Sequence, residues 1–428
     1  MKKKYIIGFI LLFYVFGAFA QEYMAPAPAQ KSPIYLTGGT LHIGNGEVRE
    51  NKVLEIKQGK IHFLSELPKA LEEDQILDLK GKQIYPGLIG LNNNLGLVEV
   101  NSTNSTHDEY ELGDFNPNIR SIVGYNTDSK VINTVRSNGI LLVEVVPSGT
   151  WIRGSSSVVQ LDAWNWEDAA YSTDLGIHMN IPAMIKYPNS GNNSDRIKRN
   201  LEEWERIKDY FKEAELYAKD PQPKIKNLKF EAMKGLFSKE KILFAHCDWV
   251  KEILLAIELK NEFGLKLVIV GGADSWRIGD LLSQNEIPVV LHNPHNLPAF
   301  ADDAVDLPYK MGAILKRSGV LFSISTDGDE AYMQLRNTPF VAGTLAAYGL
   351  DKEEALQSIT ENAAKILGIE KRTGTLEEGK DANIVISNGD ILDMRSHEVI
   401  VAFIQGRKLD LNNKQKDLYH KYLKKYQN

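Results

Sequence analysis

The chain has 428 residues, 43% of them hydrophobic and 25% charged, with a formal net charge of −6. This is an ordinary globular composition, long enough for one large core plus a smaller one, and its acidic balance excludes the basic footprint of a nucleic-acid binder. The single cysteine, Cys247, cannot close an internal disulfide and reads as a small buried hydrophobe ahead of a nucleophile.

The first residues read as an export address. Lys2, Lys3 and Lys4 precede an apolar run from Ile6 to Phe19, and Ala18-Phe19-Ala20 before Gln21 has the small-x-small spacing of a cleavage site. The run is short for a membrane span, and no basic stop-transfer patch follows in the Pro/Ala-rich tail over 21–32. Cleavage after Ala20 and a periplasmic protein with no membrane partner are expected; a retained N-terminal anchor is the alternative.

Residues 33–85 read as short strands, with Gln58-Gly59 marking a hairpin between Val53–Ile56 and Lys60–Phe63. Over 86–368 the texture changes to buried apolar strands alternating with amphipathic helices. Ile140–Val146, Lys241–Ala245, Leu265–Val270, Pro288–Leu291 and Val320–Ile324 read as strands, and Trp249–Phe263, Ser275–Gln284 and Ala313–Arg317 as helices. That alternation predicts a parallel (β/α)8 TIM barrel, and no glycine-rich dinucleotide turn supports an open doubly wound sheet. Residues 180–240 interrupt the rhythm with a polar stretch and a long charged helix over Ser194–Lys219, either a lid over one rim or surface decoration. Residues 369–411 return to strands, and a charged tail follows over 412–428. The β segments at the two chain ends are expected to pair as one small β-sandwich domain.

Specific words sit in this layout: Tyr85-Pro86-Gly87-Leu88-Ile89 before the first barrel strand, Ser325-Thr326-Asp327 after a late one, and Glu361-Asn362-Ala363-Ala364-Lys365-Ile366-Leu367-Gly368 in the last helix. Gly374-x-Leu376-x-x-Gly379-Lys380-x-Ala382-Asn383 and Phe403-Ile404-x-Gly406 complete the set. Together they resemble the amidohydrolase superfamily, in particular its imidazolonepropionase-like branch. The resemblance implies a barrel with one or two divalent, zinc-like metals at its C-terminal mouth. Such a metal lowers the pKa of bound water and polarises the carbonyl of a scissile C–N bond. It also implies a His-x-His pair on the first strand, a lysine or glutamate from a middle strand, two further histidines and an aspartate that takes the proton from water.

This sequence departs from that ligand set. Asn92-Asn93-Asn94 replaces His-x-His, placing Asn92 and Asn94 at ligand positions, and an amide oxygen is a weak ligand for zinc. The next histidine position falls on Phe244, with His246 as the alternative alignment, and the following one on Gly271. Asp327 remains, as the candidate general base. Glu144 reads as a bridging carboxylate or a structural residue, and His292 and His295 as a relocated pair or surface histidines. A rearranged site would draw on Glu144, His246, His292, His295 and Asp327. Arg120 and Tyr125 lie in a loop similar to the substrate-side loop of periplasmic relatives, and Trp151 and Arg153 in a glycine-punctuated loop expected at the barrel mouth. Trp164 and Trp166 wall a pocket or pack against the insertion.

No cofactor follows firmly from these residues. The expectation is a protein related to hydrolases of amide or dipeptide C–N bonds whose metal catalysis is lost or strongly weakened: a pseudoenzyme that binds a small molecule, self-associates or pairs with an active relative. The alternative is an active hydrolase with a reduced or relocated metal site.

Overall fold

Strands from both ends of the chain meet in one sheet. The computed structural model describes residues 25–427, apart from 70, 73, 74, 186–193, 293, 299, 327 and 329. The export segment read at 1–20 lies outside the described residues. Ahead of the barrel come β1 (Ile34–Thr37), β2 (Thr40–His42), β3 (Val48–Arg49), β4 (Val53–Lys57), β5 (Lys60–Leu64), β6 (Ile76–Asp78) and β7 (Gln83–Pro86). The barrel strands are β8 (Leu88–Asn93), β9 (Ile140–Val145), β10 (Ile152–Gln160), β11 (Ala170–Asn180), β12 (Ile242–Cys247), β13 (Lys266–Gly271), β14 (Val289–His292) and β15 (Phe322–Ser325). After them come β16 (Ile384–Ser387), β17 (Val399–Ile404) and β18 (Arg407–Lys408).

One sheet runs β18-β17-β16-β7-β2-β3 and a second β5-β4-β1-β6. Leu36, Ile56, Ile84, Ile384 and Phe403, drawn from both ends of the chain, share one buried cluster between them. The β4–β5 hairpin closes with Lys57 opposite Lys60. Its two turn residues, Gln58 and Gly59, have φ of 50° and 75°, the doubly left-handed turn whose twist matches the flanking strands.

His42 ties the six-stranded sheet to the barrel. Its Nδ1 meets Glu353 Oε1 at 2.6 Å, on the helix Lys352–Ser358, and its Nε2 meets Gln83 Oε1 at 2.9 Å, while the ring stacks on Tyr85. Both partners are acceptors, so only the imidazolium satisfies both. Burial alone would lower its pKa, but the bonds to Glu353 and Gln83, with the charges of Glu353 and Asp390, raise it above the ordinary value. A raised histidine stabilises the fold fully below its unfolded pKa of about 6.5, and that stability is lost as pH rises through the folded value. Urea midpoints between pH 6 and 8.5 should therefore fall with pH, and the fall should be shallower in His42→Phe. Equal slopes in both proteins would remove His42 from this role.

The eight barrel strands close in the order β10-β11-β12-β13-β14-β15-β8-β9, sealed where Ser325 of β15 pairs with Leu91 of β8. The expected strict alternation of strand and helix fails once: β10 is antiparallel to both β9 and β11. Residues 146–151 are too few for the crossover of about a dozen residues that a parallel neighbour requires, so the chain turns straight back. Ile152 to Gly154 therefore begin a strand where a loop is expected. Ile89, Leu91, Leu142, Phe244, Val268 and Val290 belong to the apolar cluster that fills the barrel. The charged helix forms as read, over Ser194–Lys219, burying Trp204, Ile207, Phe211 and Ala214 at helical spacing. Trp166 opens a short helix and Trp164 is exposed, so the two do not share a strand face. Among the described residues, no helix is long and apolar enough to cross a membrane.

Candidate functional site

Beside the apolar filling, a largely buried polar network joins β8 to β12. His178 on β11 is its centre: Nε2 meets Glu144 Oε1 at 3.1 Å, and Nδ1 meets His246 Nε2 at 2.9 Å. Glu144 Oε1 also accepts from the Ser156 hydroxyl at 2.8 Å, and Oε2 from the Asn92 backbone N–H at 3.0 Å. Glu144, Ser156 and His178 have no exposed surface, and Phe244 stacks nearly flat on His178 with ring centres 4.5 Å apart.

These contacts order the protons. With the carboxylate accepting throughout, His178 donates from Nε2, so its Nδ1 accepts from His246 Nε2–H. Both imidazoles are then neutral, which the electrostatics support. Burial lowers the pKa of His178, partly offset by its bond to Glu144. Burial holds His246 well below the usual value, and Arg153, His178 and His292 push the same way. With Nε2 donating to His178, Nδ1 is the acceptor nitrogen of the His246 ring.

Arg153 brings positive charge to this rim. Its Nε donates to Asn180 Oδ1 at 3.1 Å, and Asn180 in turn donates to the carbonyl of Gly149 at 3.0 Å. His292, ending β14, receives the Asn92 side-chain amide at 3.5 Å. It also lines a cavity of about 230 Å³ with Asp248, Trp249, Gly271, Leu291 and Asp303. Asn92, Glu144, Arg153, His246 and His292 are thus gathered at one mouth, and His246 rather than Phe244 stands toward the end of β12.

Other expected site residues are elsewhere. Arg120 Nε pairs with Asp174 at 2.8 Å, roughly 20 Å back along β11 from Asn180 at 3.3 Å per residue. Tyr125 is buried under Gly96 and beside Arg136, and desolvation holds its phenol far above the usual value. Trp151 packs its ring against the main core. His295 hydrogen-bonds Thr344 Oγ1 at 2.8 Å on an outer helix. Asp327 lies outside the described residues. Cys247 is buried, its thiol held well above the ordinary value by burial, Asp248 and Glu252, as for a structural residue. His178 was missed in the sequence, where the family pattern calls for lysine or glutamate on a middle strand. The available sign was its place between Gly176 and Asn180, alternate positions on one strand face.

Residues 226–409 match the model of the amidohydrolase family. The crystal structure of an amidohydrolase from Thermotoga maritima MSB8 superposes with a TM-score of 0.73 at 25% identity, over 88% of this chain and 99% of that one. Residues 226–409 thus carry the amidohydrolase family's sequence pattern, on a fold that this superfamily shares over most of the chain. Within it, the imidazolonepropionase of Mesorhizobium japonicum is 38% identical over 76 residues, and that of Hyphomonas neptunium 40% over 73. Each match spans 17% of this chain and 18% of the relative. Amidohydrolase tasK of Hapsidospora irregularis is 21% identical over 383 residues, 37% of its own length. A Xaa-Pro dipeptidase with bound methionine shares the fold, with a TM-score of 0.53 at 14% identity, over 89% of this chain.

An amidohydrolase metal site needs imidazole nitrogens and carboxylate oxygens free to ligate, and these do not fit. Both nitrogens of His178 are engaged, and Glu144 accepts three donors. At Asn92-Asn93-Asn94, where the family resemblance implies His-x-His, amide oxygens, weak ligands for zinc, stand in place of imidazoles; Asn94 Nδ2 donates to Glu109, and its Oδ1 is buried without a hydrogen-bond partner. Among the described residues, no group of three His, Cys, Asp or Glu side chains is arranged to hold a metal ion.

Proposed function

We propose that this amidohydrolase-fold protein binds a small polar molecule at the barrel mouth and has lost the metal-assisted hydrolysis of its family. The observation that carries the reading is His178: a ring that donates to Glu144 and accepts from His246 has no lone pair left for a cation. What remains is a binding surface, with His246 Nδ1 as acceptor, Arg153 and Asn92 as donors, and an adjoining cavity of about 230 Å³ suited to a compact ligand. A barrel without turnover of its own can still serve a partner, so self-association or pairing with an active relative belongs to the same proposal. So do export after cleavage at Ala20 and a separate β-sandwich domain built from the two sheets.

Metal analysis of protein purified without chelator tests the reading. Zinc, manganese and iron should be well below one equivalent per chain, with no metal-dependent turnover of dipeptides or hydantoin-like rings. One metal per chain, lost together with activity in Asp327→Asn, would instead establish a working hydrolase with Asp327 as its base.

A further inference from the structure

The helix Lys414–Tyr426 is a surface without a cover. None of its residues is buried. Hydrogen bonds hold its first turn: Asn413 caps it by accepting from Lys416 N–H and donates to Ser137 Oγ at 2.8 Å, while Thr134 Oγ1 donates to Gln415. Leu418, Tyr419, Tyr422 and Tyr426 are 42%, 63%, 51% and 76% exposed. At 3.6 residues per turn these four fall within an arc of about 100°, and Lys414, Lys421 and Lys425 line one edge of it. The segment carries five lysines against one aspartate, in a chain whose net charge is −6.

We propose that this helix docks the protein on an anionic phospholipid surface. A helix of this length is marginal alone in water, and an exposed aromatic stripe marks a contact surface. The intermixing of residue types identifies the partner. Protein interfaces deplete lysine from their cores, whereas at a lipid interface tyrosine rings sit at the headgroup level while lysine stems lie along the apolar boundary and their ammonium groups reach phosphate. Charge complementarity adds to this, since juxtamembrane lysines are drawn to anionic leaflets. The proposal replaces the expectation of no membrane partner.

Sedimentation of the full chain with vesicles tests it, comparing pure phosphatidylcholine with phosphatidylcholine containing one third phosphatidylglycerol. The protein should sediment with the anionic vesicles and be released by high salt. Lys421→Glu/Lys424→Glu/Lys425→Glu should weaken binding on the order of 100-fold, and Tyr419→Ser/Tyr422→Ser/Tyr426→Ser about 10-fold or more. Circular dichroism of both variants should match the parent, because every replaced side chain is exposed. An apolar N-terminal segment acting alone would hold the chain on both vesicle types and resist salt, so equal binding to the two overturns the proposal. Full retention of binding by the lysine variant overturns it too, as does a dimer that the tyrosine variant dissociates.

Discussion

Glu144→Ala should cost about 3–5 kcal/mol of folding stability, since each buried hydrogen-bonding group left without a partner costs about 1–3 kcal/mol. The substitution strands three donors at once: the Asn92 N–H, the Ser156 hydroxyl and His178 Nε2–H. All three surround a carboxylate with no exposed surface, so water cannot readily take its place. Ser156→Ala removes a single donor from the same oxygen and should cost only about 1 kcal/mol. Urea unfolding of the two variants, each beside its metal content, makes the comparison. A structural network predicts the large difference in stability with metal content unchanged. A loss below about 1 kcal/mol in Glu144→Ala, or a fall in bound metal, would mean that Glu144 serves a cation and not its protein neighbours.

The barrel was legible because its strands are near-continuous apolar runs, the mark of strands buried on both faces. Ile140–Val145 and Lys266–Gly271 are of this kind. The reversed strand was not, because Ile152–Gln160 carries Ser155, Ser156 and Ser157 in its middle. Those serines are buried only because tertiary partners accept or supply their hydrogen bonds: the Pro117 carbonyl, Glu144 and the Asp174 N–H. Glu144 stood out as the one charge in an apolar run. His246 and Phe244 share a strand face, and sequence alone does not say which of them falls on the family's histidine position. Arg120 was misplaced for a related reason: its chain position after the first strand says nothing about the height at which the loop descends, and pairing with Asp174 fixes it near the far end.

On the proposed reading that the metal ligands have been replaced, the backbone also opposes their return, and restoring the side chains should not recover a metal site. Gly271 stands where the family's histidine is expected, but its φ is +102°, and a Cβ there would lie 2.5 Å from Asp248 Oδ1 and 3.0 Å from the Cys247 carbonyl. A non-glycine residue in such a conformation costs about 1–3 kcal/mol before any clash. Gly272 follows with φ of +65°, its N–H bonded to that same Cys247 carbonyl, so the turn cannot relax without breaking its own hydrogen bond. Asn92 is left-handed as well, at φ +48°, a state asparagine tolerates better than histidine does. Gly271→His should therefore destabilise the fold by about 2–4 kcal/mol, and the triple variant Asn92→His/Asn94→His/Gly271→His should bind no stoichiometric zinc. The checks are the urea midpoint of the single variant and equilibrium dialysis of the triple against zinc. A triple variant that unfolds at the parent midpoint and holds one zinc per chain would show that only side chains were lost, and that the mouth of this barrel is still shaped for a metal.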